Sequence, residues 1–114
     1  MKLSQVLEAQ AALAQLAGLK MPAHGAYKVS KNLRKLEPEI QSFEEARNKI
    51  VANYLEVKDG ETVSDDAQKA ADGEYKTLLE MEVSVEPHKI KLSDFGNAEV
   101  SAAQLLAIEF LLEE

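Results

Sequence analysis

The sequence contains no cysteine and no tryptophan, and its 114 residues include only three phenylalanines, three tyrosines and two histidines. Without cysteine the chain has no disulfide framework, no thiolate nucleophile and no cysteine-ligated zinc site. Two histidines leave little for a histidine metal site, so we expect neither a metal nor another cofactor. With so few aromatic residues, the core must be built from Leu, Val, Ile and Ala.

Long apolar runs are also missing. The nearest candidate, Leu105 to Leu112, contains Glu109 and is much shorter than the roughly 20 residues that span a bilayer. Polar residues interrupt the N-terminal stretch, so we expect no signal peptide and a cytoplasmic protein. The net charge of −7 argues against general binding to nucleic acid or to an anionic membrane.

Helix signals dominate the chain. A breaker-free stretch predicts a first helix over Ser4 to Ala17, and Pro22 suits the start of a second. Ser64 predicts the N-cap of a third helix that runs to about Glu80. Ser101 and Gln104 form a capping box ahead of a final helix, which is apolar on nearly every face and should be buried.

The second helix carries a heptad pattern that persists through Pro38 and favours one long, kinked helix over two separate ones. Such a helix would be about 45 Å long, more than a compact domain of this size needs, so we expect a homo-oligomer. Arg47 on this seam should meet a carboxylate such as Glu44 or one on a partner helix. The seam consists of Val29, Leu33, Leu36, Ile40, Phe43, Arg47, Ile50 and Tyr54.

Strict alternation occurs in two short segments, residues 82–86 and 90–92, on either side of Pro87, His88 and Lys89. This pattern predicts a short β-hairpin or a bent edge strand, which must lie against helices or pair with another subunit. We therefore expect a single α+β domain, mainly α, over residues 1–114. It would contain a helical hairpin, a third helix, the β element and a buried C-terminal helix.

Charge is segregated in one place, because residues 20–35 contain five basic residues and no acid in an otherwise acidic chain. Helical spacing puts the basic residues on one stripe, with Asn32 nearby. The stripe could bind a phosphate-bearing ligand or an acidic protein surface. It could instead be a solvated helix face, or it could pair with acids such as Glu37 or Glu44 on this or another subunit. The stripe comprises His24, Tyr27, Lys28, Lys31, Arg34 and Lys35.

Catalytic signatures are not evident. The paired acidic residues lie in polar stretches or at a helix cap, where nothing separates their pKa values. No serine has a GxSxG context, and neither histidine belongs to a metal-ligand motif. We expect a protein without enzymatic activity.

Several segments together resemble a family of small uncharacterised proteins encoded by tailed bacteriophages and prophages, chiefly of Gram-positive hosts. The resemblance implies a viral protein that acts in the bacterial cytoplasm, and it assigns no functional residue. The segments that carry it are residues 1–3, 20–22, 27–33, 43–49, 82–85, 90–95 and 101–112.

The residues and the resemblance lead to two functional hypotheses. The first is a homo-oligomeric binding protein that modulates the host, as in counter-defence. It would bind a host protein or sequester a small anionic, nucleotide-like ligand. The alternative is a chaperone or adaptor for assembly of the virion tail or head.

Overall fold

A computed structural model describes residues 1–113, and Glu114, the last residue of the predicted domain, lies outside the described residues. The α-helices of this range are α1 (Leu3–Ala17), α2 (Ala23–Ile50), α3 (Asp65–Leu79) and α4 (Ala102–Ala107). A π-helical turn, Val51–Leu55, continues α2. Two 3₁₀-helices, Leu92–Phe95 and Glu109–Leu111, lie on either side of α4. None of the helices in residues 1–113 is both long enough and apolar enough to cross a membrane.

The predicted α+β class is wrong, because residues 1–113 form no β-strand and the fold is all-α. Each alternating segment instead makes one isolated bridge to an end of the chain. Glu82 bridges to Lys2, and Ile90 bridges to Leu112. The two segments therefore pair with the two termini and not with each other.

A contact at His88 explains why no hairpin forms. The side-chain amide of Asn32 binds both the N–H and the C=O of His88, at the point where a hairpin would need its turn. The chain is held against α2 there and continues towards the C-terminal segment. Val83 and Val85 are half-buried against the hydrophobic core. The alternating sequence therefore indicates an extended segment that lies on an apolar surface, and not a strand of a sheet.

Helix α2 continues through Pro38, as the uninterrupted heptad pattern predicts. Pro38 and Arg34 both lie on the exposed face, where water can bind the Arg34 carbonyl that loses its N–H partner. At 1.5 Å per residue α2 is about 42 Å long, which accounts for most of the 53 Å long axis of the molecule.

The hydrophobic core joins the first two helices to the last quarter of the chain. Along α1 the buried side chains recur at helical spacing and face α2, while α2 contributes every seventh residue. The buried members are Leu3, Val6, Ala9, Ala12, Leu13, Leu16, Val29, Leu36, Phe43, Ile90, Phe95, Ile108 and Leu111.

The C-terminal helix begins as predicted but is shorter and less buried than expected. Ser101 and Gln104 form the predicted capping box, with Ser101 Oγ accepting from the Gln104 N–H at 3.1 Å. The helix ends at Ala107, and Leu106 is 72% exposed. The chain turns at Ile108 so that the last residues can meet Ile90, and only Ile108 and Leu111 of this segment are fully buried.

Candidate functional site

The predicted basic stripe lies on the N-terminal half of α2, and the structure divides it into two groups. The first group, His24 and Lys28, contacts a carboxylate from a distant part of the chain. The second group, Tyr27, Lys31, Arg34 and Lys35, lines a surface pocket. The stripe is therefore partly structural and partly open to a ligand.

The first group surrounds Asp94, which belongs to the 3₁₀-helix Leu92–Phe95 and is only 5% exposed. Its Oδ2 accepts hydrogen bonds from Lys28 Nζ at 2.6 Å and from the Lys91 N–H at 2.8 Å. His24 Nε2 lies 3.3 Å from Oδ1. The hydrogen bond from Lys28, reinforced by the Lys91 N–H, holds the pKa of Asp94 below its ordinary value.

Two glycines allow the Asp94 segment to approach α2 this closely. A Cβ at Gly25, in the first turn of α2, would overlap the backbone carbonyl of Asp94. Gly96 has a positive φ of 59°, and a Cβ there would lie 2.7 Å from the Pro22 ring. The missing side chain at Gly25 and the positive φ of Gly96 together allow the Asp94 carboxylate to reach Lys28.

Sequence patterns do not identify Asp94 as the partner of the stripe. It lies 66 positions from Lys28, and the surrounding residues indicate only a turn. The carboxylates predicted as partners, Glu37 and Glu44, form no ion pair with the stripe within residues 1–113. A long-range pair of this kind has no periodic signal by which it could be found.

Asn32 is fully buried between the stripe and the segment that follows α3. Its Nδ2 donates to the carbonyls of Lys28 and His88 at 2.9 and 2.7 Å, and its Oδ1 accepts from the His88 N–H at 2.9 Å. Both the Nδ2 and the Oδ1 of the Asn32 side chain therefore have hydrogen-bond partners within the protein. Asn32 therefore positions His88 and is not available to bind a ligand.

The second group forms a pocket of about 330 Å³, which we call the basic pocket; it is lined by Tyr27, Ser30, Lys31, Arg34 and Lys35. Tyr27 is 59% exposed. The His88 ring meets it nearly at right angles, with ring centroids 6.2 Å apart. Lys31 Nζ lies 5.6 Å from the Tyr27 ring centroid and 3.4 Å from its hydroxyl. The aromatic ring is thus held from two sides while remaining open to solvent.

The charge of the basic pocket is not neutralised within the described chain. Across residues 1–113, no Asp or Glu oxygen lies within 4.0 Å of the cationic groups of Lys31, Arg34 and Lys35. The lining residues include no acid. The whole chain carries a net charge of −7, so this pocket is a local region of positive charge on a negatively charged protein. Such a region suits an anion.

Half of the predicted heptad seam packs against other elements of the same chain. Val29, Leu36, Phe43 and Ile50 are buried against neighbouring elements. The intervening positions Leu33, Ile40 and Tyr54 are half-buried, and Arg47 is exposed. The Arg47 guanidinium lies 5.9 Å from the Phe43 ring centroid, and it meets no carboxylate within the described residues. We call Leu33, Ile40, Arg47 and Tyr54 the open edge of the seam. This surface is narrower than the one that the full heptad pattern predicts.

A second cavity, of about 520 Å³, lies between the C-terminal part of α2 and α3, and we call it the α2–α3 groove. Its walls are largely apolar, with one basic and one acidic residue at the rim, and Met81 is 51% exposed beside it. The groove is lined by Ala46, Ile50, Lys69, Ala70, Gly73, Glu74, Thr77, Leu78 and Met81.

The chemistry available at these sites is recognition of charge and of aromatic rings. In the part of the chain that the structure describes, no group of three or more His, Cys, Asp or Glu side chains is arranged to hold a metal ion. The His24–Asp94 contact lies outside the basic pocket. Two Lys ammonium groups, one guanidinium and a hydroxyl together make an anion-binding donor set.

The sequence matches no protein-family model, and neither the curated proteins nor the solved structures contain a significant match. The candidate sites are therefore defined by the residues and contacts of this chain alone.

Proposed function

We propose that this protein is a non-enzymatic binding protein whose basic pocket takes an anionic partner. The observation that carries the proposal is the grouping of Lys31, Arg34 and Lys35 around one pocket without a carboxylate partner in the described residues. Unpaired cations on a protein of opposite net charge attract and orient an anion.

The wider role that we propose is that of a phage or prophage protein acting in the bacterial cytoplasm. There it would modulate the host, as in counter-defence, by binding a host protein or sequestering a nucleotide-like molecule. The resemblance to small phage proteins supports this setting. The half-buried edge formed by Leu33 and Ile40 supports self-association, because apolar side chains at heptad spacing remain partly uncovered.

Native mass spectrometry of the protein purified from bacterial cells tests the proposal. We expect a defined oligomer that carries added mass, and we expect Lys31→Glu with Lys35→Glu to remove that mass. Lys28 is unsuitable for this reversal, because its ammonium holds the buried Asp94. The matched control is Lys49→Glu with Lys58→Glu, which changes the charge equally at exposed positions away from the pocket. Added mass that survives the pocket reversal would contradict the proposal.

The α2–α3 groove supports a second candidate, a chaperone or adaptor in virion assembly. An apolar groove with an exposed methionine at its edge is suited to hold an apolar segment of another protein. Co-expression with the phage structural proteins, followed by pull-down, tests this role. Gly73→Leu would fill the groove, since a Cβ at Gly73 meets no atom within 4 Å, and it should abolish capture of such a partner.

A further inference from the structure

We infer that the ligand of the basic pocket is a nucleoside di- or triphosphate, an inference that rests on the proposed anion-binding function. The pocket combines three features that few other small molecules satisfy together. They are an accumulated positive charge, an open aromatic ring and a fixed separation between the two along one helix.

The charge of the pocket selects for phosphate. Lys31, Arg34 and Lys35 supply three positive charges, and the lining residues include no acid to offset them. A single carboxylate balances only one of these charges, whereas a polyphosphate balances all three. The planar guanidinium of Arg34 can bind two phosphate oxygens, and the lysines act as point charges beside it. Ser30 adds a hydroxyl that can donate to phosphate or accept from a sugar.

Tyr27 selects for an attached ring. A tyrosine that is 59% exposed has no packing role over most of its surface. The His88 ring and Lys31 contact it from two sides, and the backbone of His88 is held by Asn32. A solvent-open aromatic ring at the end of a cationic pocket is a platform on which a base can stack.

The spacing along α2 selects for more than one phosphate. From Tyr27 to Arg34 the helix rises about 11 Å, and the two residues lie on the same side because they are separated by nearly two turns. In a nucleoside monophosphate the phosphate lies close to the base. A di- or triphosphate extends further, so that its terminal phosphate can reach Arg34 and Lys35 while the base remains on Tyr27. The pocket volume of about 330 Å³ is at the lower end of the range for small-molecule sites.

Isothermal titration calorimetry in magnesium-free buffer tests the inference with four probes: ATP, AMP, inorganic tripolyphosphate and citrate. We expect ATP to bind about tenfold more tightly than tripolyphosphate, because only ATP carries a ring. AMP and citrate should bind more weakly than either. Tyr27→Leu should remove the advantage of ATP while leaving tripolyphosphate affinity within about twofold.

Charge variants complete the test. Lys31→Gln with Lys35→Gln should weaken ATP and tripolyphosphate alike by at least about tenfold. Lys49→Gln with Lys58→Gln removes the same charge at exposed positions outside the pocket and should change neither affinity appreciably. Circular dichroism melts of all variants verify that each is folded.

The outcomes separate this inference from the proposed function. Equal affinities for ATP and tripolyphosphate, unaffected by Tyr27→Leu, would overturn the nucleotide assignment and leave an anion site in place. If none of the probes binds at millimolar concentration, the nucleotide assignment is also wrong. The proposed function fails with it only if neither a bound mass in the native spectrum nor an acidic protein partner depends on Lys31 and Lys35. Binding of an acidic protein that is lost in the Lys31 and Lys35 variant would overturn the nucleotide assignment alone.

Discussion

The Nζ of Lys28 lies 2.6 Å from Oδ2 of Asp94, a contact that joins the second turn of α2 to a residue 66 positions further along the chain. Asp94 is buried, so its negative charge depends on this lysine, on His24 and on the Lys91 N–H. The contact also turns Lys28 away from the basic pocket. One lysine of the stripe therefore stabilises the fold, while Lys31, Arg34 and Lys35 form no ion pair within residues 1–113.

Replacement of Asp94 by Asn should lower the free energy of unfolding by about 2 kcal/mol, because the hydrogen bonds to a charged acceptor are weakened and Lys28 loses its partner. Urea denaturation followed by circular dichroism measures the change. Asp59→Asn is the matched control, since Asp59 is exposed in the loop after α2. A midpoint for Asp94→Asn equal to that of the control would show that the ion pair contributes nothing to stability.

The same carboxylate should make stability depend on pH in the acid range. The pKa of Asp94 is lowered in the folded protein relative to its ordinary value of 3.8, so the folded state binds its proton less readily than the unfolded state. Its stabilising contribution is therefore fully present above about pH 4 to 5 and is lost as the pH falls through the lowered pKa. The difference in unfolding free energy between the native sequence and Asp94→Asn should shrink from pH 6 towards pH 3. A difference that stays constant over this range would contradict the assignment.

Local signals made much of the helical structure predictable. The breaker-free first segment, the Ser64 cap and the Ser101 capping box act over a few residues, and the structure confirms helices at each place. The apolar phase that continues past Pro38 also correctly predicts one helix, because side-chain periodicity is a property of the helix itself. These features need no knowledge of the partner elements.

The absence of the predicted β-hairpin and the division of the stripe were not predictable, because both depend on contacts between distant segments. Alternation shows that Val83 and Val85 are half-buried but does not say what the backbone pairs with, and here the partners are the chain termini. The basic stripe is visible as a run of like charge. Asp94 pairs with Lys28 and not with Lys31 because residues 92–96 approach α2 at Gly25.

The clamp of Asn32 on His88 should contribute more to stability than a typical polar contact. Asn32→Ala leaves the N–H and the C=O of His88 without their partner, and we expect a loss of about 3 kcal/mol. Amide hydrogen exchange at His88 is the specific measurement, because its N–H should exchange much faster in the variant. Asn48→Ala, at an exposed position of the same helix, should leave that rate unchanged. Unaltered protection of the His88 amide in Asn32→Ala would refute the clamp.

Self-association can be separated from folding at Ile40. This side chain is half-buried on the open edge of the seam, whereas Phe43 one turn later belongs to the core. Ile40→Asp places a charge on the surface that a second copy would cover, so the molar mass from size-exclusion chromatography with light scattering should fall to that of one chain while helicity is retained. Gln41→Asp, at the adjacent exposed position, should keep the oligomer. Phe43→Ala should instead lower the melting temperature, because it empties core volume. If Ile40→Asp keeps the native mass, the open edge of α2 is not the oligomer interface, and the half-buried heptad positions are simply the solvent side of a helix that is buried on its other face.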